Sequence, residues 1–176
     1  DRLNQLSFDL IIAAPNTKGN LNLKKYLIEN KLNFFLGSED NVFTRFLQVI
    51  KLKSPDIVVR VNSDCPFLSP ENVECVVKQF IELEADYLST TLDKSFPLGE
   101  HIEAISTEAF IRASKNDIDS LTEEHVTPVF YKSLKFRSLP YSPSEKVIYP
   151  SGLRLCIDFK KDYFFFQELE KLLPSA

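Results

Sequence analysis

The stretch "DIVVRVNSDCPFLSPENVECVVKQFIELEADYLSTT", residues 56 to 91, decides the fold. DIVVRV (56–61) is a short apolar run that reads as a strand. Small polar residues follow, then one acid, Asp64, and at once Cys65 and Pro66; the proline bars the strand from continuing. Ser69 stands where a helix N-cap would, with Pro70 at the first helical position. Val73, Val76, Val77, Phe80 and Ile81 recur at helical spacing, which predicts an amphipathic helix over 69–84. ADYLSTT (85–91) is a strand again. Strand, amphipathic helix, strand is the unit of an α/β domain with a mostly parallel sheet.

The same alternation runs outward from this stretch. FDLIIAA (8–14) reads as a strand buried on both faces. NLNLKKYLIENK (20–31) is a predicted helix with Leu23, Tyr26 and Leu27 on one face, and LNFFLG (32–37) a strand ending at Gly37. DNVFTRFLQVIKLK (40–53) is a predicted helix, with Asp40 as N-cap and Val42, Phe43, Phe46, Leu47 and Ile50 as its apolar stripe. Further on, HIEAIS (101–106) alternates as a strand and runs into a short helix, TEAFIRAS. SLTE (120–123) has the form of a capping box, with Ser120 and Glu123 each reaching a free backbone N–H; it predicts a helix through about Phe130. LKFRSLP and LRLCID (153–158) read as strands, and KKDYFFFQELEKLL (160–173) as a closing helix. YSPSEKVIYPSG (141–152) is the most loop-like stretch. With no repeat, low-complexity tract or linker, residues 1–176 read as a single domain.

Composition narrows the function classes. Hydrophobic content of 44% and charged content of 26% over 176 residues suit a globular domain with a good core. A net charge of −4 argues against nucleic acid as the main partner, because phosphate binding wants a basic face. No apolar stretch is long enough to span a membrane, and no signal peptide is visible. The three cysteines, Cys65, Cys75 and Cys156, are an odd count without CxxC spacing. That speaks against a disulfide framework or zinc site and for a reducing, cytoplasmic setting. Methionine is absent even at position 1, which raises the expectation that the chain lacks its native start.

The chemistry-bearing residues follow strand ends. In doubly wound sheets, ligands bind outside the carboxyl ends of the strands. Asp64 lies just past one predicted end, and Asp158 holds the same place after LRLCI. Two carboxylates delivered to one rim can share a divalent cation; Mg²⁺ takes one or two carboxylates and fills its other positions with water and phosphates. The plainer reading makes each Asp a turn former or cap. The residues alone give a phosphate- or metal-binding α/β domain.

The order of motifs goes further. GSEDNVFTRF (37–46), RVNSDCPFLSP (60–70), ADYLSTT (85–91), FPLGEHIE (96–103), EEHVTP (123–128) and LRLCIDFKKD (153–162) together resemble the cytidylyltransferase family of spore coat polysaccharide biosynthesis. Its relatives make CMP-activated sugar acids such as CMP-KDO and CMP-neuraminate. The resemblance implies a nucleotide-diphospho-sugar transferase fold, which is Rossmann-like and three-layered. It also implies transfer of CMP from CTP to a sugar or sugar acid, Mg²⁺, and a homodimer. By the same resemblance Asp64 and Asp158 are the metal-binding, catalytic acids. Ser38, Asp40, Arg45, Arg60 and Ser63 lie beside the nucleotide, and Glu103, Glu124 and His125 on the sugar side. FPLGEHIE, within 92–106, would form an arm crossing to a second subunit.

Departures from the family pattern sharpen the alternatives. Asn62-Ser63 replaces Thr-Gly before the metal acid, His101 replaces an Asp, and Phe159-Lys160-Lys161 replaces Thr-Pro-Glu after Asp158. The family opens with a strand and a basic, Gly-containing phosphate loop, whereas FDLIIAA corresponds to its second strand. Such a strand and loop are therefore expected upstream of Asp1. One alternative is a sugar-nucleotide-binding or scaffolding relative without catalysis. Another is a glycosyltransferase of similar layout, although such enzymes usually carry a D-x-D pair and none stands at 62–66. Locally, Arg60 is as well suited to pair with Asp64 as to bind phosphate. Cys65 reads as a small buried side chain, and His125 could equally be a surface residue.

Overall fold

The computed structural model describes residues 2–93, 95–116, 118–144 and 148–172. In chain order the elements are β1 (Ile12–Pro15), α1 (Leu21–Glu29), β2 (Phe34–Gly37), α2 (Val42–Lys53), β3 (Ile57–Val61), α3 (Pro70–Glu82) and β4 (Tyr87–Ser89). Then come β5 (Ile102–Ser106), α4 (Thr107–Ala113), α5 (Ser120–His125), α6 (Pro128–Lys132), β6 (Ser138–Pro140) and α7 (Lys160–Leu172). The α/β class is as expected, and the strands form two sheets. β1 and β2 pair in parallel; the second sheet has the order β3-β5-β4-β6. β5 runs antiparallel to both β3 and β4, while β4 and β6 are parallel, so this sheet is mixed.

Alternation along β4 and β5 divides the core into two layers. Leu88, Ile102 and Ala104 face α3 with Val73, Val76 and Phe80. Tyr87 and Ile105 face the other way, against Phe43 and Ile50 of α2, Phe110 of α4 and Phe130 of α6. Helices on both faces of a sheet give three layers. α3 forms as the sequence predicts: the Ser69 hydroxyl accepts from the Asn72 N–H at 3.1 Å, with Pro70 opening the helix. Of its stripe Val73, Val76 and Phe80 are buried, Val77 is half-buried and Ile81 is exposed.

Several boundaries differ from the sequence reading, each for a local reason. Asn41, not Asp40, caps α2; its Oδ1 accepts from the Thr44 N–H at 2.7 Å. Asp119, not Ser120, caps α5, accepting from the Thr122 N–H at 2.8 Å. That helix stops at His125 rather than running to Phe130, because Val126 takes φ of 70° and the chain restarts at Pro128. LRLCID forms no strand; it makes one isolated bridge, Leu98 to Arg154. On α1 only Leu27 is buried, while Leu23 and Tyr26 are exposed. The segment expected as an exchanged arm ends in β5, whose Ile102–Ile105 positions are buried between β3 and β4 of the same chain. Lys94 of that segment, residues 145–147 of the predicted loop and Leu173 of the closing helix lie outside the described residues.

Candidate active site

Three loops meet beyond the end of β3. The Ile157 N–H donates to the Asp64 carbonyl at 2.8 Å, joining the loop after β3 to the former LRLCID stretch. The Leu155 N–H donates to the Leu98 carbonyl at 2.6 Å, joining that stretch to FPLGE. Gly99 makes this second crossing possible. Its φ is 106°, and a Cβ there would lie 2.5 Å from the Leu155 backbone. The two acids, remote in sequence, are thereby brought onto adjacent backbone.

Their surroundings differ. Asp64 is half-buried and accepts the weak thiol donor of Cys65 at 3.3 Å. Asp158 is exposed, and its Oδ2 accepts from the Arg154 guanidinium at 2.6 Å. Asp162 binds the same guanidinium at 3.3 Å and caps α7 by accepting from the Phe159 N–H at 2.9 Å. Those backbone donors hold the Asp162 carboxyl below the usual carboxylate range. Burial pushes the Cys65 thiol up to about 12, with Asp64 adding to the shift. Glu100, nearly fully buried, is also raised by burial and accepts from the Asn72 amide at 3.3 Å. Arg154 and Glu100 lie within the quoted stretches LRLCIDFKKD and FPLGEHIE, but nothing in their type or spacing singled them out there. Asp162 had a signal, an acid at the third position of the closing helix.

A second group of predicted residues gathers around the start of α2. Ser38 Oγ accepts from the Asn41 N–H at 3.0 Å, and Asn41 donates to Glu123 at 2.8 Å. The loop after β2 is thus tied to α5, which ends in the exposed Glu124 and His125. Asp40 and Ser38 are exposed. Arg45 is 9% exposed; it donates to the Ser38 carbonyl at 2.6 Å, and its Nε–H is buried with no partner among the described residues. Burial lowers its pKa. An orphaned guanidinium N–H beside an exposed loop fits a site for an anionic or carbonyl-bearing ligand.

Arg60 and Glu103 behave differently from expectation. Arg60 pairs with Glu103 across β3 and β5, not with Asp64. Glu103 is 4% exposed, and its other oxygen accepts from Tyr87 and from Thr127 at 2.7 Å each. Both carboxylate oxygens are therefore taken up inside the protein. Ser63 is exposed beside Asp64.

The donor set suits a hard divalent cation. Asp64 and Asp158 would supply carboxylate oxygens to such an ion, and among the described residues no three His, Cys, Asp or Glu side chains are grouped as a complete metal cage. Mg²⁺ needs only one or two carboxylates when phosphates and water complete its shell.

A three-layered α/β core with two acid-bearing loops joined through their backbone beyond a strand end defines a class, and residues 3–174 match the family described as Cytidylyltransferase; the chain belongs to that family. An uncharacterised protein of Methanocaldococcus jannaschii is 31% identical over 93% of this chain and 66% of its own length. The spore coat polysaccharide biosynthesis protein SpsF of Bacillus subtilis is 29% identical over 88% of this chain and 64% of its own. The chain thus spans just under two thirds of these relatives. A cytidylyltransferase from Leptospira borgpetersenii superposes with a TM-score of 0.86 at 20% identity, covering 99% of this chain and 75% of that one. A CMP:2-keto-3-deoxy-manno-octonic acid synthetase, solved with CTP, superposes at 0.61 with 12% identity, covering 95% and 85%. These two likenesses show the fold. Among the described residues no helix is long and apolar enough to cross a membrane.

Proposed function

We propose that this protein transfers CMP from CTP to a sugar or sugar acid, with Asp64 and Asp158 holding Mg²⁺. The observation that carries the reading is the Ile157–Asp64 backbone bond, which brings the two acids to adjacent strands of chain. Family membership and the likeness to SpsF support surface polysaccharide biosynthesis as the setting. A cytoplasmic site of action and a homodimer belong to the same reading.

In the reaction a sugar oxygen attacks the α-phosphorus of CTP, and the bond to pyrophosphate breaks. Bound Mg²⁺ supplies charge neutralisation at the phosphates. Asp64 and Asp158 fix its place, and Arg154, already on Asp158, offers guanidinium donors at the same edge. Ser38, Asp40 and Arg45 form the nucleotide side, where the orphaned Arg45 Nε–H awaits an acceptor. Ser63 borders the metal acid from the loop after β3. Glu124 and His125 face the sugar.

The reading includes a further strand between β1 and β3. Among the described residues β1 pairs only with β2, and β3 only with β5. All five residues of β3 are only half-buried although IVVRV reads as an interior strand. A strand with its basic loop in that position would pair both edges and bring cations to the triphosphate.

The test is pyrophosphate release by the full-length protein from CTP, compared with ATP, GTP and UTP, over a panel of sugar acids with and without Mg²⁺. Release specific to CTP and dependent on both sugar and Mg²⁺ supports the reading. Binding of CTP without release under any acceptor favours the non-catalytic relative, and no interaction with CTP removes both.

A further inference from the structure

The junction between α5 and α6 carries an unusual backbone. Val126 has φ of 70° and ψ of −53°, and it is fully buried. A β-branched residue at positive φ is an outlier. The Thr127 N–H donates to the His125 carbonyl at 2.8 Å, which makes the three residues a γ-turn of the rare, strained kind. Strain of this sort persists only where the surroundings hold it, and it concentrates at functional sites.

Next to it lies the buried carboxylate described above. Thr127, the residue after the strained one, donates its hydroxyl to Glu103 Oε1 at 2.7 Å. Tyr87 donates to the same oxygen at 2.7 Å, and the Arg60 guanidinium takes the other. Tyr87, Glu103 and Arg60 belong to β4, β5 and β3, so the turn is tied to three strands of one sheet. On its outer side the turn displays His125, exposed, on the helix already joined to Asn41 through Glu123. A helix break alone needs no such arrangement, since glycine would take this φ without strain.

We propose that Glu103 is a positioning residue: its bond to Thr127 holds the strained turn at Val126 and so fixes His125 at the edge of the site. The consequence for catalysis rests on the reading of His125 as sugar-facing; the claim about the turn does not.

The test uses imidazole proton NMR on the full-length protein, with the His125 signal assigned by its loss in His125→Gln. Thr127→Val keeps the shape and removes the donor, while Thr127→Ser keeps the donor. The Val variant is expected to move the His125 signal and leave that of His101 in place; the Ser variant is expected to stay at the wild-type position. In the transfer assay, Thr127→Val should lower kcat/KM for the sugar by about a hundredfold, the loss that a displacement of about 1 Å produces, with CTP affinity retained. A His125 signal unmoved by Thr127→Val, or moved equally by Thr127→Ser, overturns the proposal. Should Thr127→Val fail to fold, Thr127→Ala removes the same donor with a smaller side chain and is judged by the same signal. If the signals behave as expected but the wild type neither binds CTP nor transfers, the positioning role stands and the functional reading falls.

Discussion

At the scale of single residues, close approach and burial set the behaviour of the site. Gly99→Ala forces a Cβ into the Leu155 backbone at a φ of 106°. The strained φ alone costs about 1–3 kcal/mol, and the clash adds to it. Urea unfolding should show the loss, and divalent-cation binding should weaken with it, because the crossing carries the Asp158 loop. Cys65 gives a pH signature. Its folded pKa, raised to about 12 from the ordinary 9.0, means the native state keeps a proton that the unfolded chain releases. Its contribution is full below pH 9.0 and falls away as pH rises toward 12. A Tm series across alkaline pH should therefore fall less steeply for Cys65→Ala than for the wild type. Asp64 does lie just past a strand, as the sequence suggested, whereas Asp158 was picked out by the same rule although LRLCID forms no strand. The partners of Arg60 and Glu103 were not legible, because cross-strand register depends on β5 running antiparallel, which short runs do not reveal.

At the scale of elements, caps and anchors decide what the periodicity leaves open. α3 was legible in its start and most of its stripe, since Ser69, Pro70 and the apolar spacing agree with one another, although Ile81 is exposed. LRLCID alternates like a strand yet lacks a ladder, because its backbone donors go to two different loops, at Leu98 and Asp64. The break before Pro128 had a signal in the sequence, since a proline ends a helix that reaches it, but the positive φ at Val126 had none. α7 is held unevenly. Phe166 is buried against Phe67 with ring centroids 5.2 Å apart, whereas Phe164 and Phe165 are exposed. Phe166→Ala should cost about 3 kcal/mol by denaturant unfolding. Phe164→Ala should change stability by less than about 0.5 kcal/mol. Equal effects would contradict this placement of the helix.

At the scale of the whole molecule, the family fold gives two clusters of predicted site residues, one around Asp64 and Asp158 and one around Ser38, Arg45 and His125. The α/β class followed from strand–helix alternation alone, while the split into two sheets could not, because unpaired edges are a property of partners rather than of a run's own residues. The central claim is that Asp64 and Asp158 act as one cation site under the phosphates of CTP. Calorimetry with CTP and Mg²⁺ on the full-length protein tests it most directly, using Asp64→Asn, Asp158→Asn and the double variant, each nearly isosteric with the wild type. Each single change should weaken Mg²⁺-dependent binding at least about 100-fold, in keeping with the several kcal/mol such a metal supplies. The double change should cost little more than either alone, as residues acting as a unit do. Undiminished CTP binding in the double variant would contradict the claim and leave both acids as ordinary loop residues.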